Sequence, residues 1–362
     1  MGSVHRRTFL QSLAGATVAA AKVQGANKPL PIGLNTYCLR AFKWDDATLL
    51  DYAAGQKMDA IFLQDSLDPR TQDPAHWPEV RAKAAQLGLH LETGGGGIFP
   101  KTPDAFEASV AGIRKNIERA KAMGSPIVRC VMAADRAALP PGPVEQHMET
   151  LIKVLRAVRS QVMDAGLKIA METHKDLLAW EYKTVIETAG KEFVGSYIDT
   201  GNPVFVLEHP MTTLETLAPY ALTLHLRDSV VYEHARGVAV QWVPLGEGVV
   251  DFKAIVARAQ ELCPHVYVYI KPITGRPPQV LPFLEDQYWR RYPKARAADF
   301  ARFLALMRQG HPYEGEMVIE DIAGRKTPEP FAQALQYQQR EHMERSIAYA
   351  RNVLGLGVRW RS

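Results

Sequence analysis

Cysteine is scarce in this chain: Cys38, Cys130 and Cys263 are scattered over 362 positions. Three residues so dispersed supply neither a disulfide framework nor a cysteine zinc site. Cys38 and Cys130 fall in strand-like apolar runs, which reads as buried free thiols. An excess of one charge is also missing. Lys and Arg total 43 against 39 acidic residues, a net charge of +4. Residues 1–21 hold Arg6 and Arg7 and no acid, so the remaining body carries only +2. Nucleic-acid binders show a clear basic excess, so this body argues against a nucleic-acid partner. No apolar run reaches the roughly 20 residues of a permanent membrane span, so no stable membrane anchor is expected. No GxGxxG follows the first strand-like run, so no nucleotide cofactor is expected. A hydrophobic fraction of 47% with 23% charged residues excludes a disordered chain. It leaves one large α/β domain or two medium ones.

The N-terminus reads as an address. Residues 5–10 are His-Arg-Arg-Thr-Phe-Leu, followed by the short, weakly apolar SLAGATVAAA. This resembles a twin-arginine export signal, with an amphipathic helix and a chance Arg pair as the alternative. It implies the twin-arginine export machinery as a partner and a periplasmic or otherwise exported location after signal cleavage. Residues 1–28 are therefore set apart as signal peptide and linker.

From Pro31 onward, β-rich runs alternate with longer helical patterns. Strands are expected at 31–38, 59–64, 89–93, 126–132, 167–173, 194–200, 221–227 and 266–271. Amphipathic helices are expected between them, as at 104–124 and 145–166. Gly88, Gly124 and Gly166 stand where helices should stop. Nearly continuous apolar strands favour a parallel sheet buried on both faces. Eight β-α units closed on themselves make a (β/α)8 TIM barrel, assigned to residues 29–310. A doubly wound sheet is the alternative. Residues 311–362 exceed the barrel's needs and read as an additional C-terminal helical segment packed on its outside, with the surface for an oligomer if one forms.

In a TIM barrel the C-terminal strand ends share one mouth. Here they read Met171-Glu172-Thr173-His174, Ile198-Asp199-Thr200, Leu224-His225-Leu226 and Ile270-Lys271-Pro272. Singly, Glu172 can pair with an arginine and His225 can be a satisfied core histidine. Together, two carboxylates and an imidazole suit a divalent ion. Arg129 lies within strand four. Trp180 and Trp242 are expected on loops after strands five and seven, where an indole can stack on a sugar ring. Gly94–Gly97 is expected to be a mobile loop or a place where the backbone closely approaches substrate.

The arrangement resembles the xylose-isomerase-like TIM barrels, which include sugar isomerases, epimerases and apurinic-site endonucleases. The pieces that carry the likeness are METH at 171–174, YIDTGNP at 197–203, LHLRD at 224–228, PLGEGVVDF at 244–252 and ITGRPP at 273–278. The likeness covers about residues 31–310. It implies a Mn2+- or Mg2+-type ion held by Glu, Asp, His and Glu from strands five to eight. By position the first three are Glu172, Asp199 and His225. The fourth position departs from the pattern: Lys271 stands there. An ammonium beside a divalent ion is repulsive unless it loses its proton. Either the metal is absent and Lys271 supplies the charge, or the metal stays and Lys271 is a base, or catalysis is lost. With no metal, the two carboxylates are expected to keep Lys271 charged.

The implied function is an exported carbohydrate-active isomerase, epimerase or lyase that abstracts a proton next to a sugar carbonyl. Glu172 and Lys271 are its catalytic candidates. His174, Asn202, Asp228, Arg129, Trp180, Trp242 and Arg276 are its substrate-binding candidates, and the partner is a small carbohydrate. The alternative is a non-catalytic sugar-binding barrel. A nuclease of the same fold is disfavoured by the neutral body and by the export signal.

Overall fold

The computed structural model describes residues 28–362 except 65, 66, 317, 323 and 324. The Arg6-Arg7 motif lies outside the described residues. Eight parallel strands close into a barrel, a TIM fold. They are β1 (Ile32–Asn35), β2 (Ala60–Gln64), β3 (His90–Gly97), β4 (Ile127–Val131), β5 (Lys168–Glu172), β6 (Val194–Asp199), β7 (Ala221–Leu226) and, after an antiparallel hairpin, β10 (Val268–Ile270). Each falls on a run expected from its apolar pattern. Strands such as β4 and β6 are buried along their whole length, as a sheet covered on both faces requires. β10 pairs with β1 to close the barrel, and Tyr269 lies level with His225 on β7.

Helices between the strands bury one stripe each. Phe106–Met123 buries Val110, Ile113, Ile117, Ala120 and Met123. It stops at Gly124, whose φ of 79° is a left-handed conformation that L side chains resist. The helix expected at 145–166 is two, Val144–Ala157 and Arg159–Asp164, parted at Val158 (φ −112°, ψ 5°). Among the described residues no helix is long and apolar enough to cross a membrane.

One feature was not expected. The segment after β7 is a hairpin, β8 (Asp228–His234) and β9 (Gly237–Val243), joined by β11 (Gln279–Leu281) in a three-stranded antiparallel sheet. Trp242 is therefore on a strand and not in a loop. Val231, Val238, Val240 and Leu281 pack with Phe303, Leu306 and Met307 in a second, smaller core. The C-terminal helix Glu329–Asn352 is present, and its buried Met343, Ile347 and Ala350 join the main barrel core. It is the C-terminal helix expected from the sequence, and it stands in the eighth helical place after β10. His342 bonds Thr274 Oγ1 at 2.7 Å, Ser346 Oγ accepts from Leu245 N at 3.0 Å, and Gly357 N donates to Leu30 O at 2.8 Å.

Candidate active site

The barrel closes Glu172, Asp199 and Lys271 into one charged cluster. Lys271 Nζ donates to Glu172 Oε1 at 2.9 Å, to Tyr197 OH at 3.0 Å and to Asp199 Oδ2 at 3.1 Å. Arg129, one strand over, donates from Nε to Glu172 Oε2 at 2.6 Å and from Nη1 to Gly95 O at 2.5 Å. Arg227 Nη2 pairs with Asp199 Oδ2 at 2.8 Å. All five ionic groups are buried. Buried charges persist only when paired, and three cations here meet two carboxylates.

Strand geometry explains the convergence. Glu172 and Asp199 each end a strand and Lys271 follows one, so all three sit at one end of the barrel. The glycine run belongs to β3 and is not a mobile loop. A Cβ on Gly94 would lie 2.3 Å from the Arg129 carbonyl oxygen. Only glycine lets β3 approach Arg129 this closely.

Electrostatics follow from these pairs. Burial by itself raises Glu172, but Arg129 and Lys271 hold it well below the usual carboxylate range. Burial pulls Lys271 below the ordinary lysine value, with Arg227 and Arg129 adding to it against the two carboxylates. The two carboxylates were expected to outweigh burial at Lys271; burial is instead the largest influence, and the net shift is downward. Burial likewise drives His174 down to about 3, so its imidazole is neutral.

His225 sits among aromatic rings and makes no hydrogen bond to the charged cluster. Its ring stacks on Tyr197 (3.8 Å between centroids) and on Tyr269 (4.6 Å), with Phe62 edge-on at 5.3 Å. Both ring nitrogens are buried without a hydrogen-bond partner, and burial holds its pKa well below the usual value. The donor set as a whole does not fit a divalent ion. Glu172 accepts from Arg129, Lys271 and Asn202 Nδ2 (3.3 Å). Asp199 is taken by Lys271, Arg227 and the Gly201 amide (2.9 Å). A divalent ion between these carboxylates would sit against an ammonium and two guanidinium groups.

A cavity of about 770 Å3 opens above the cluster, within the range of small-molecule sites. Of the residues expected at the site, Glu172, Lys271, Arg129, His174, Trp242 and Arg276 line it. Trp242 stacks under the Arg227 guanidinium (4.4 Å) and donates from Nε1 to Gly201 O at 3.0 Å.

Five others do not line it: Asp199 and His225, already described, and Asn202, Trp180 and Asp228. Asn202 is fully buried, bridging Thr173 O (2.9 Å) and Arg227 Nη1 (3.2 Å). Trp180 lies in the first turn of the helix Ala179–Ala189, not on the loop expected for it, and packs against the second core under Arg296. Asp228 accepts backbone N–H groups from Ser229 (2.8 Å), Gly246 (2.9 Å), Gly248 (3.0 Å) and Val250 (3.3 Å). The carboxylate shapes the PLGEGVVDF loop instead of meeting a substrate. A Cβ on Gly248 would lie 2.2 Å from Asp228 Oδ1, which explains that glycine.

Lys175, Arg227, Tyr197, Gln64 and Gln241 had no assigned role in the sequence reading. Lys175, Arg227, Gln64 and Gln241 line the cavity, and Tyr197 holds Lys271. Lys175 and Arg227 directly follow the METH and LHL runs, which is the signal that could have found them.

A family model described as xylose isomerase-like TIM barrel matches residues 50–263, more than half of the chain. The chain is 25% identical over 115 residues to the uncharacterized protein YihM of Escherichia coli K12, a match to 32% of this chain and only 35% of that relative's length. It is 23% identical over 241 residues to the 3-oxo-isoapionate decarboxylase of Pectobacterium atrosepticum, covering 62% and 79% of the two chains. The solved structure of D-psicose 3-epimerase in the presence of D-fructose superimposes with a TM-score of 0.60 at 13% identity, covering 90% of this chain and 100% of that one. A Mycobacterium smegmatis barrel in complex with magnesium gives a TM-score of 0.52 at 16% identity over 76% of this chain and 96% of that one.

Proposed function

The chain belongs to the xylose isomerase-like TIM barrel family, and we propose that its mouth is the active site of a carbohydrate-active isomerase or lyase working next to a sugar carbonyl. The observation that carries this reading is Lys271 Nζ, held within 3.1 Å of Glu172, Tyr197 and Asp199 beneath an open cavity. Removing a proton or a carbon group beside a carbonyl leaves an enediolate, and fixed positive charge stabilises it. Lys271, with Arg129 and Arg227 behind it, supplies that charge in place of a metal ion.

Glu172 receives the carbon-bound proton in this scheme. Three donors reach its four lone-pair positions, so one acceptor place remains. The cations that keep Glu172 ionised make it a weak base, and the same cations lower the barrier by stabilising the enediolate. Glu172 is also the only carboxylate among the described residues that line the cavity. Epimerisation between two opposed carboxylates therefore lacks its second base, which favours isomerase or lyase chemistry. The decarboxylase and epimerase likenesses fit an enolate route. Export rests on the Arg6-Arg7-Thr8-Phe9-Leu10 run alone.

The test is incubation with a panel of sugars and 3-keto-glycosides in deuterated water, with chelator present. The reading expects deuterium to enter a C–H bond, and Lys271→Met to slow entry at least about 100-fold, as loss of a main charge-stabilising group does. Binding with no exchange in the wild type would leave the non-catalytic sugar-binding barrel in its place.

A further inference from the structure

We infer that the ligand of this cavity is a sugar acid, a polyol whose carboxylate is taken by Lys175 and Arg276. The inference rests on reading the cavity as a carbohydrate site and names the class of carbohydrate. Five cationic side chains line the cavity: Arg129, Lys175, Arg227, Lys271 and Arg276. Against them stand Glu172 in the lining and Asp199 behind it, an excess of three positive charges. His174 is neutral and does not change the balance.

The excess is not spread evenly. Arg129, Arg227 and Lys271 are committed to Glu172 and Asp199. Among the described residues, neither Lys175 nor Arg276 is in an ion pair. Lys175 Nζ instead lies over the rings of Phe205 (5.2 Å) and Trp242 (5.5 Å). Burial lowers its pKa, and Arg227 and Arg276 lower it further against the attraction of Asp135. Asp135 does not pair with it; that carboxylate accepts from Ala138 N at 2.8 Å.

A neutral sugar would leave Lys175 and Arg276, which repel one another, without a counter-charge in a cavity walled by Phe205, Val240, Trp242 and Ile273. A carboxylate removes that repulsion, and a guanidinium fork matches its geometry. Low-dielectric walls concentrate the field on such an anion.

Calorimetric titration of the full chain tests this. The probes are D-gluconate, D-galactonate and D-xylonate, the neutral alditols D-glucitol, D-galactitol and xylitol, and D-glucose 6-phosphate. At least one aldonate should bind tenfold or more tightly than its alditol. The double variant Lys175→Met/Arg276→Met, confirmed as folded by circular dichroism, should lose that advantage and keep its alditol affinity. Equal binding of aldonates and alditols, or an advantage that survives in the double variant, overturns the inference. Tighter binding of the phosphate than of every aldonate overturns the assignment of a carboxylate. Deuterium exchange on neutral 3-keto-glycosides together with equal binding of aldonates and alditols would sink this inference alone and leave the isomerase or lyase reading standing. Aldonate selectivity with no exchange on any substrate would do the reverse.

Discussion

Asp228 shows how one residue can look catalytic in sequence and be structural in space. It follows β7 in the LHLRD run and was expected to meet substrate. Its carboxylate is consumed by four amides of its own loop and of the 246–250 turn. Replacing it with Ala strands those amides, and a buried donor left unpaired costs about 1–3 kcal/mol. Asp228→Ala should therefore lower unfolding free energy by at least about 3 kcal/mol in urea titration; a loss below about 1 kcal/mol would mean that water or backbone replaces the carboxylate. Glu172, Asp199 and Lys271 were legible because each ends a recognisable apolar strand. Their arginine partners were not, because pairing is decided by which strands become neighbours. Arg129 and Glu172 are 43 positions apart and meet only because β4 lies beside β5.

At the scale of elements, the barrel strands were legible because each is a short, almost unbroken apolar run. The β8–β9 hairpin was not, because its turn at 235–236 lacks an Asn-Gly or Asp-Gly signal and its strands adjoin a barrel strand without a helix between. Helix contacts carry a testable charge. Glu208 lies just before the helix Pro210–Leu217 and accepts from Ala179 N, at the start of the preceding barrel helix, at 2.9 Å. Burial pushes its pKa up from 4.5 to about 8. The folded state thus holds this proton more tightly than the unfolded chain. The stability it lends is complete below about pH 4.5 and is lost as pH rises through about 8. Urea midpoints at pH 6 and pH 9 should fall more in the wild type than in Glu208→Gln. Parallel changes in the two proteins would show that Glu208 does not titrate in this range.

For the whole molecule, the sequence reads as an expected address, a barrel and a C-terminal helical segment, and the last of these packs on the barrel. The tail's helix supplies Met343, Ile347 and Ala350 to the main core, which sequence could not show because 58 residues of loops, β11 and shorter helices separate it from β10. The address remains a matter of sequence. Replacing Arg6 and Arg7 by Lys should hold the protein in the cytoplasm on cell fractionation, while unchanged export would remove the twin-arginine reading.

On the function proposed above, an ammonium occupies the place of a metal in this mouth. Calorimetric titration of Mn2+ into the wild type and Lys271→Glu tests it most directly. The variant replaces the cation between Glu172 and Asp199 with a third carboxylate, so it should bind Mn2+ at least tenfold more tightly than the wild type. Equal affinity in the two proteins would mean that Lys271 does not stand in the metal's place, and the charge-stabilising role assigned to it would fall.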